Sequence, residues 1–128
     1  MATHDTVLIV DDERGVREVL REALRFCSDR VITAATVQEA ESVLKSLDAA
    51  EANLVITDVN LTSRQHAHEG YALYERWSAR YPALRFILIR GDPANQELPA
   101  IRFGAVRFLA KPFEIEALFE VVREVLGR

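Results

Sequence analysis

An α/β fold built on one parallel sheet of five strands is predicted by three features of this 128-residue chain. Five short runs are mostly apolar at consecutive rather than alternate positions, with Arg107 the one charged exception, as strands covered on both faces require. Stretches of helical periodicity fall between most of them, and strand–helix alternation implies right-handed crossovers that put helices on both sides of the sheet. No internal repeat or low-complexity tract interrupts the pattern.

Val7 to Val10 is the first strand. From Gly15 to Phe26, Val16, Val19, Leu20, Ala23 and Leu24 recur at helical spacing, with Arg17, Glu18, Arg21, Glu22 and Arg25 on the other face. Val31 to Ala34 reads as the second strand. Thr36-Val37-Gln38-Glu39 then has the form of a capping box, opening a helix that buries Ala40, Val43, Leu44 and Leu47. Leu54 to Thr57 is the third strand. A long polar loop from Val59 to Glu69 carries His66 and His68, and a third helix runs from near Gly70 to Arg80, stopped by Pro82. Phe86 to Ile89 and Val106 to Leu109 are the last strands. Between them Pro93 and Pro99 make any helix short or kinked. Pro112 sits near the start of the last helix, whose stripe of Ile115, Leu118, Phe119, Val122, Val125 and Leu126 ends at Gly127.

The composition narrows the function classes. Hydrophobic residues make up 49% and charged ones 28%, which fits a globular domain and not a disordered or membrane-spanning chain. The length fits one domain over residues 1–128, and no second, output domain is expected in this chain. A net charge of -4 disfavours a direct, sequence-independent grip on nucleic acid, which needs a clustered basic surface. A protein partner is expected instead. No run reaches membrane-spanning length, and the N-terminus lacks a basic start and an apolar signal core, so the expected location is cytoplasmic. Cys27, the only cysteine, reads as a core thiol.

The chemistry is concentrated at strand ends. Asp11 and Asp12 follow the first strand, Asp58 follows the third, and Lys111-Pro112 follows the fifth. In an open parallel sheet ligands gather at the carboxyl ends of strands, so these four residues are expected at one edge. Three carboxylates held together repel unless one is protonated or a cation is bound, and hard oxygen ligands with room for waters suit Mg2+. A metal with a nearby lysine is what phosphoryl transfer needs, and Asp58 is suited to attack as a carboxylate nucleophile. Only Lys45 and Lys111 among 16 basic residues are lysines, so a lysine at a strand end suggests a compact point-charge role. Asp11 and Asp12 read alone would be a helix-capping turn. Lys111 alone would be a solvated surface residue. His66 and His68, without a third ligand, read as part of a solvated loop rather than a metal site. Tyr71, Tyr74, Trp77 and Tyr81 read as packing residues of the third helix.

Taken in order, Val7-Leu-Ile-Val-Asp11-Asp12-Glu13, Val55-Ile-Thr-Asp58 and Gly104-Ala-Val-Arg-Phe108-Leu-Ala-Lys111-Pro112-Phe113 resemble the receiver domain of two-component response regulators, over essentially the whole chain. The resemblance implies a doubly wound, flavodoxin-like sheet in the order 2-1-3-4-5 with about five helices. It implies that Asp58 is the phosphoacceptor, that Asp12, Asp58 and the main-chain carbonyl of Asn60 ligate Mg2+, and that Asp11 meets the metal through water. Lys111 matches the lysine that contacts the phosphoryl oxygen, with a cis peptide bond to Pro112. Asn60 and Asp92 match variable positions that tune acyl-phosphate lifetime. The expected partners are a sensor histidine kinase or phosphotransfer protein and a downstream protein, with a homodimer among the forms the family allows.

Two positions depart from the family pattern. Arg90 stands where the family has Ser or Thr, whose hydroxyl bonds the new phosphoryl group, and Phe108 fills the aromatic switch position without a tyrosine hydroxyl. The Arg90 guanidinium either folds into the acidic pocket or points to solvent and pairs at the surface. The alternative function is a phosphorylation-independent pseudo-receiver acting as an adaptor or dimerisation module. An aspartyl phosphatase is disfavoured because its nucleophile usually follows the first strand in an Asp-x-Asp motif. A flavodoxin-like electron carrier is disfavoured because Asp11-Asp12-Glu13 would repel its phosphate.

Overall fold

The computed structural model describes residues 6–28, 30–47, 53–59, 69–90, 106–110 and 113–127. The five apolar runs form β1 (Thr6–Val10), β2 (Arg30–Ala34), β3 (Leu54–Asp58), β4 (Arg85–Arg90) and β5 (Val106–Ala110). All neighbours are parallel, in the order β2-β1-β3-β4-β5, so the doubly wound arrangement stands as expected. Four helices occur among the described residues: α1 (Arg14–Leu24), α2 (Val37–Ser46), α3 (Glu69–Arg80) and α4 (Ile115–Leu126). The proline-interrupted segment 91–105 and Pro112 lie outside the described residues. No described helix is long and apolar enough to cross a membrane.

Strand alternation divides the core in two. Odd positions of β1 and even positions of β3, namely Val7, Ile9, Leu54 and Ile56, pack with Ile87 and Ile89 against Leu20 and Leu24 of α1 and Leu118 and Val122 of α4. The opposite series, Leu8, Val10, Val55, Phe86 and Leu88, packs against Leu44 of α2 and Leu73, Tyr74 and Trp77 of α3. The first layer's buried residues are all aliphatic, whereas the second holds the aromatics. Tyr74 meets Phe86 edge-on at 5.2 Å between ring centroids, a favoured aromatic geometry. Trp77 donates its indole N–H to Glu41 Oε2 at 2.9 Å, which ties α3 to α2. The packing reading of the tyrosines and tryptophan therefore holds, with Tyr71, Tyr74 and Trp77 buried.

Local signals behave with small departures. Thr36 caps α2 by accepting the Glu39 N–H at 3.1 Å, but the reciprocal bond of the capping box is displaced by one residue: Glu39 Oε2 accepts from Ala35 N–H at 2.7 Å. Gly127 closes α4 in the left-handed conformation (φ 76°), where a Cβ would be strained. β2 is an edge strand, so Val31 to Thr33 are only half-buried.

Three expectations need correction. Val19, counted in the apolar stripe of α1, is 57% exposed because that stripe is wider than the sheet and α4 can cover. Helix α1 ends at Leu24, and Phe26 beyond it is 88% exposed. Cys27 is half-buried rather than a core thiol, although burial still raises its pKa above the ordinary thiol value, partly offset by Arg123.

Candidate functional site

The register of the two central strands brings the acids together. Val10 of β1 pairs with Thr57 of β3, so Asp11 and Asp58 stand at the next step of adjacent strands. Both continue the alternate series that faces α1 and α4, after Val7 and Ile9 in one strand and Leu54 and Ile56 in the other. Asp11 is 1% exposed and Asp58 9%, a burial rare for carboxylates unless they are partnered.

Each acid is held through its main chain. Asp11 N–H donates to Ala34 O at 3.1 Å, extending the ladder to β2. Arg17 reaches back along α1 to donate from Nη1 to Asp11 O at 2.8 Å. The side chain takes part as well: Asp11 Oδ1 accepts the Glu13 N–H at 2.9 Å, a local turn of the kind Asp favours. The bond belongs to the turn that leads into α1 and is not a cap of the helix itself, whose N-cap residue is Glu13. At the other strand, Thr57 Oγ1 donates to Asp58 O at 3.1 Å. Val59 N–H donates to Ile89 O at 2.9 Å, and Gly70 N–H returns to Val59 O at 2.9 Å.

Asp12 is exposed, two residues beyond the end of β1. Among the described residues no three His, Cys, Asp or Glu side chains gather to hold a metal ion. The donor chemistry nevertheless fits Mg2+: two buried carboxylates on one face, with a third on the adjoining turn, are hard oxygen ligands.

On the far side of β3, Asp58 pairs with Ile89 of β4, and Arg90 closes that strand opposite Ala110 of β5. The Arg90 side chain, and Lys111, Asn60, Asp92, His66 and His68, lie outside the described residues. Phe108 is half-buried, pairs with Leu88 and packs against the aromatic layer. Beside the acidic turn, Glu13, Gly15, Val16, Val19, Leu20, Phe113 and Ile115 line an open apolar recess of about 780 Å³. Arg17, Thr57 and Gly70 escape a search for strand-end acids. The signals available for them were an arginine six residues after Asp11 and a glycine at the return from a long polar loop.

The model of the response regulator receiver domain matches residues 7–123. This chain belongs to that family. It is 35% identical to the response regulator protein FleR of Pseudomonas aeruginosa, over 95% of this chain and 25% of that protein. It is 33% identical to the sensor kinase CckA of Brucella abortus, over 96% of this chain and 13% of that protein. The chain spans about a quarter of the length of FleR and less of CckA. A response regulator receiver domain structure from Clostridium thermocellum superposes with a TM-score of 0.77 at 20% identity, covering 97% of this chain and 95% of that one, which supports the shared fold. The receiver domain thus has its acids at the carboxyl edge of the sheet, as its strand register requires.

Proposed function

We propose that this receiver domain accepts a phosphoryl group from a histidine kinase or phosphotransfer protein onto Asp58, in the cytoplasm, and signals by altered contacts with a downstream protein. The observation that carries this reading is the burial of Asp58 beside Asp11 at the ends of adjacent strands. An Asp58 carboxylate oxygen attacks the phosphorus. The new O–P bond replaces the P–N bond of a phosphohistidine, whose electron pair returns to the imidazole nitrogen. Asp11, Asp12, Asp58 and the carbonyl of Asn60 are the residues that would hold Mg2+, which when bound neutralises charge on the transferred oxygens. Lys111 follows the last residue of β5 and is assigned the contact with the phosphoryl oxygen. The protein catalyses only its own phosphorylation and dephosphorylation.

Arg90 at the Ser/Thr position makes the switch atypical in this reading. A guanidinium offers charge-assisted, bidentate hydrogen bonds where the family has a neutral hydroxyl. Arg90→Thr is therefore expected to change acyl-phosphate lifetime, or the spectral response to beryllofluoride; an indistinguishable variant removes Arg90 from the switch.

The test of the main reading is incubation with Mg2+ and acetyl phosphate followed by intact mass, with Asp58→Asn as control. One added phosphoryl group in the wild type and none in the control is the expected result. A second reading, a phosphorylation-independent adaptor or dimerisation module, is favoured by Arg90 and by the exposure of Asp12. An unmodified wild type would select it.

A further inference from the structure

Helix α3 begins against the main chain of Asp58. A Cβ built on Gly70, in the first turn of that helix, would fall onto Asp58 O, and would lie 2.8 Å from Asp58 C and 2.9 Å from Thr57 Oγ1. The first of these is far inside any van der Waals contact, and the atom it meets is backbone, which cannot turn aside as a side chain can. The φ of Gly70 is not what demands glycine here; the missing Cβ is. The same residue donates its N–H to Val59 O at 2.9 Å. Val59 and Gly70, with ten residues between them in the sequence, therefore meet directly behind the acid.

From this geometry we infer that Gly70 is a positioning residue for Asp58: the bare Cα of α3 and the Thr57 hydroxyl together fix the Asp58 carbonyl, and so set the direction of its carboxylate. The inference rests on the phosphoacceptor reading of Asp58. Asp58 is the last residue of β3, so the ladder no longer restrains the chain beyond it except through Val59 N–H to Ile89 O. A methyl group at position 70 must push either α3 outward or the Asp58 peptide toward the rim. Misplacement of a reacting group by about 1 Å can cost on the order of 100-fold in rate.

The experiment compares wild type, Gly70→Ala, Thr57→Val, Asp58→Asn and Leu44→Ala, using acetyl phosphate and Mg2+ as the probes, intact mass for the rate and amide NMR for the site. Leu44 is fully buried under α2 in the aromatic layer, so Leu44→Ala is a destabilised control with an undisturbed strand end. In Gly70→Ala the maximal rate is expected to fall at least about 10-fold while half-saturating acetyl phosphate stays within about twofold. The Asp58 and Val59 amide resonances should move in Gly70→Ala and Thr57→Val. In Leu44→Ala, held below its melting temperature, neither the rate nor those resonances should change.

A folded Gly70→Ala with the wild-type rate overturns the inference, as does a Leu44→Ala that loses as much rate as Gly70→Ala. If Gly70→Ala does not fold, Thr57→Val decides: wild-type rate and unmoved Asp58 resonances overturn the inference, and a slower rate with moved resonances upholds it. A wild type that takes no phosphoryl group, or an Asp58→Asn chain that takes one, overturns the phosphoacceptor reading and the inference with it. Those two arms do not involve Gly70, so the two failures are distinguishable.

Discussion

The two edges of the sheet use side-chain bonds to main chain for different ends. At the amino edge, Asn53 precedes β3 and binds its neighbours: its Oδ1 accepts from Thr6 N–H at 2.9 Å, its N–H donates to Thr6 O at 3.0 Å, and its carbonyl accepts from Arg85 N–H at 3.2 Å. One residue thus joins the starts of three strands. At the carboxyl edge side chains again hold main chain, but the backbone held is that of charged residues: Arg17 and Thr57 secure the main-chain carbonyls of Asp11 and Asp58. The amino edge hydrogen-bonds a side chain to hold the backbone in place, and the carboxyl edge holds the backbone so that charged side chains can be directed. Stability should therefore depend on the first and chemistry on the second.

The largest expected effect is at the carboxyl edge. Asp58→Asn should abolish acyl-phosphate formation, read by intact mass, without lowering the melting temperature, because it removes one of two adjacent buried carboxylates. A substantial fall in melting temperature would show that the acid also carries structure and would blur the contrast. Next, Asn53→Ala should cost about 1 to 3 kcal/mol in urea unfolding, through a Thr6 N–H left without its partner. Its phosphorylation rate in the folded protein should be unchanged. Thr36→Ala, which removes the cap on α2 far from either edge, should cost about 1 kcal/mol by the same measurement. Val19→Ser, on an exposed position of α1, should stay within about 0.5 kcal/mol of wild type. Finally, burial holds the Cys27 thiol above its ordinary pKa, so less of it is thiolate at mildly alkaline pH than in an unfolded chain. Alkylation by iodoacetamide should be slower in the folded protein, and its rate should rise at a higher pH than in urea.

The amino-acid sequence made the strands legible where burial is uniform. Val7 to Val10, Leu54 to Thr57 and Phe86 to Ile89 are covered on both faces, so every position had to be apolar or small enough to pack. The strand-end acids were legible because a carboxylate after such a run contradicts its surroundings. Val19 was misread because periodicity reports which residues share a helix face and not how far the opposing layer extends. The exposure of Asp12 was not legible either, since adjacent acids look alike until one of them completes a ladder to Ala34. Gly70 was hidden for another reason. The sequence marks it as the return from a long polar loop, but the contact proposed to matter is with a residue twelve positions earlier, which no local pattern reports.

Trp77 is the chain's single tryptophan, and its indole is buried and bonded to Glu41 across α2 and α3. Its emission is consequently an optical gauge of the layer in which that helix–helix seam lies. Urea should shift that emission to longer wavelength as the seam opens, while events confined to the far layer leave the colour of the fluorescence where it was.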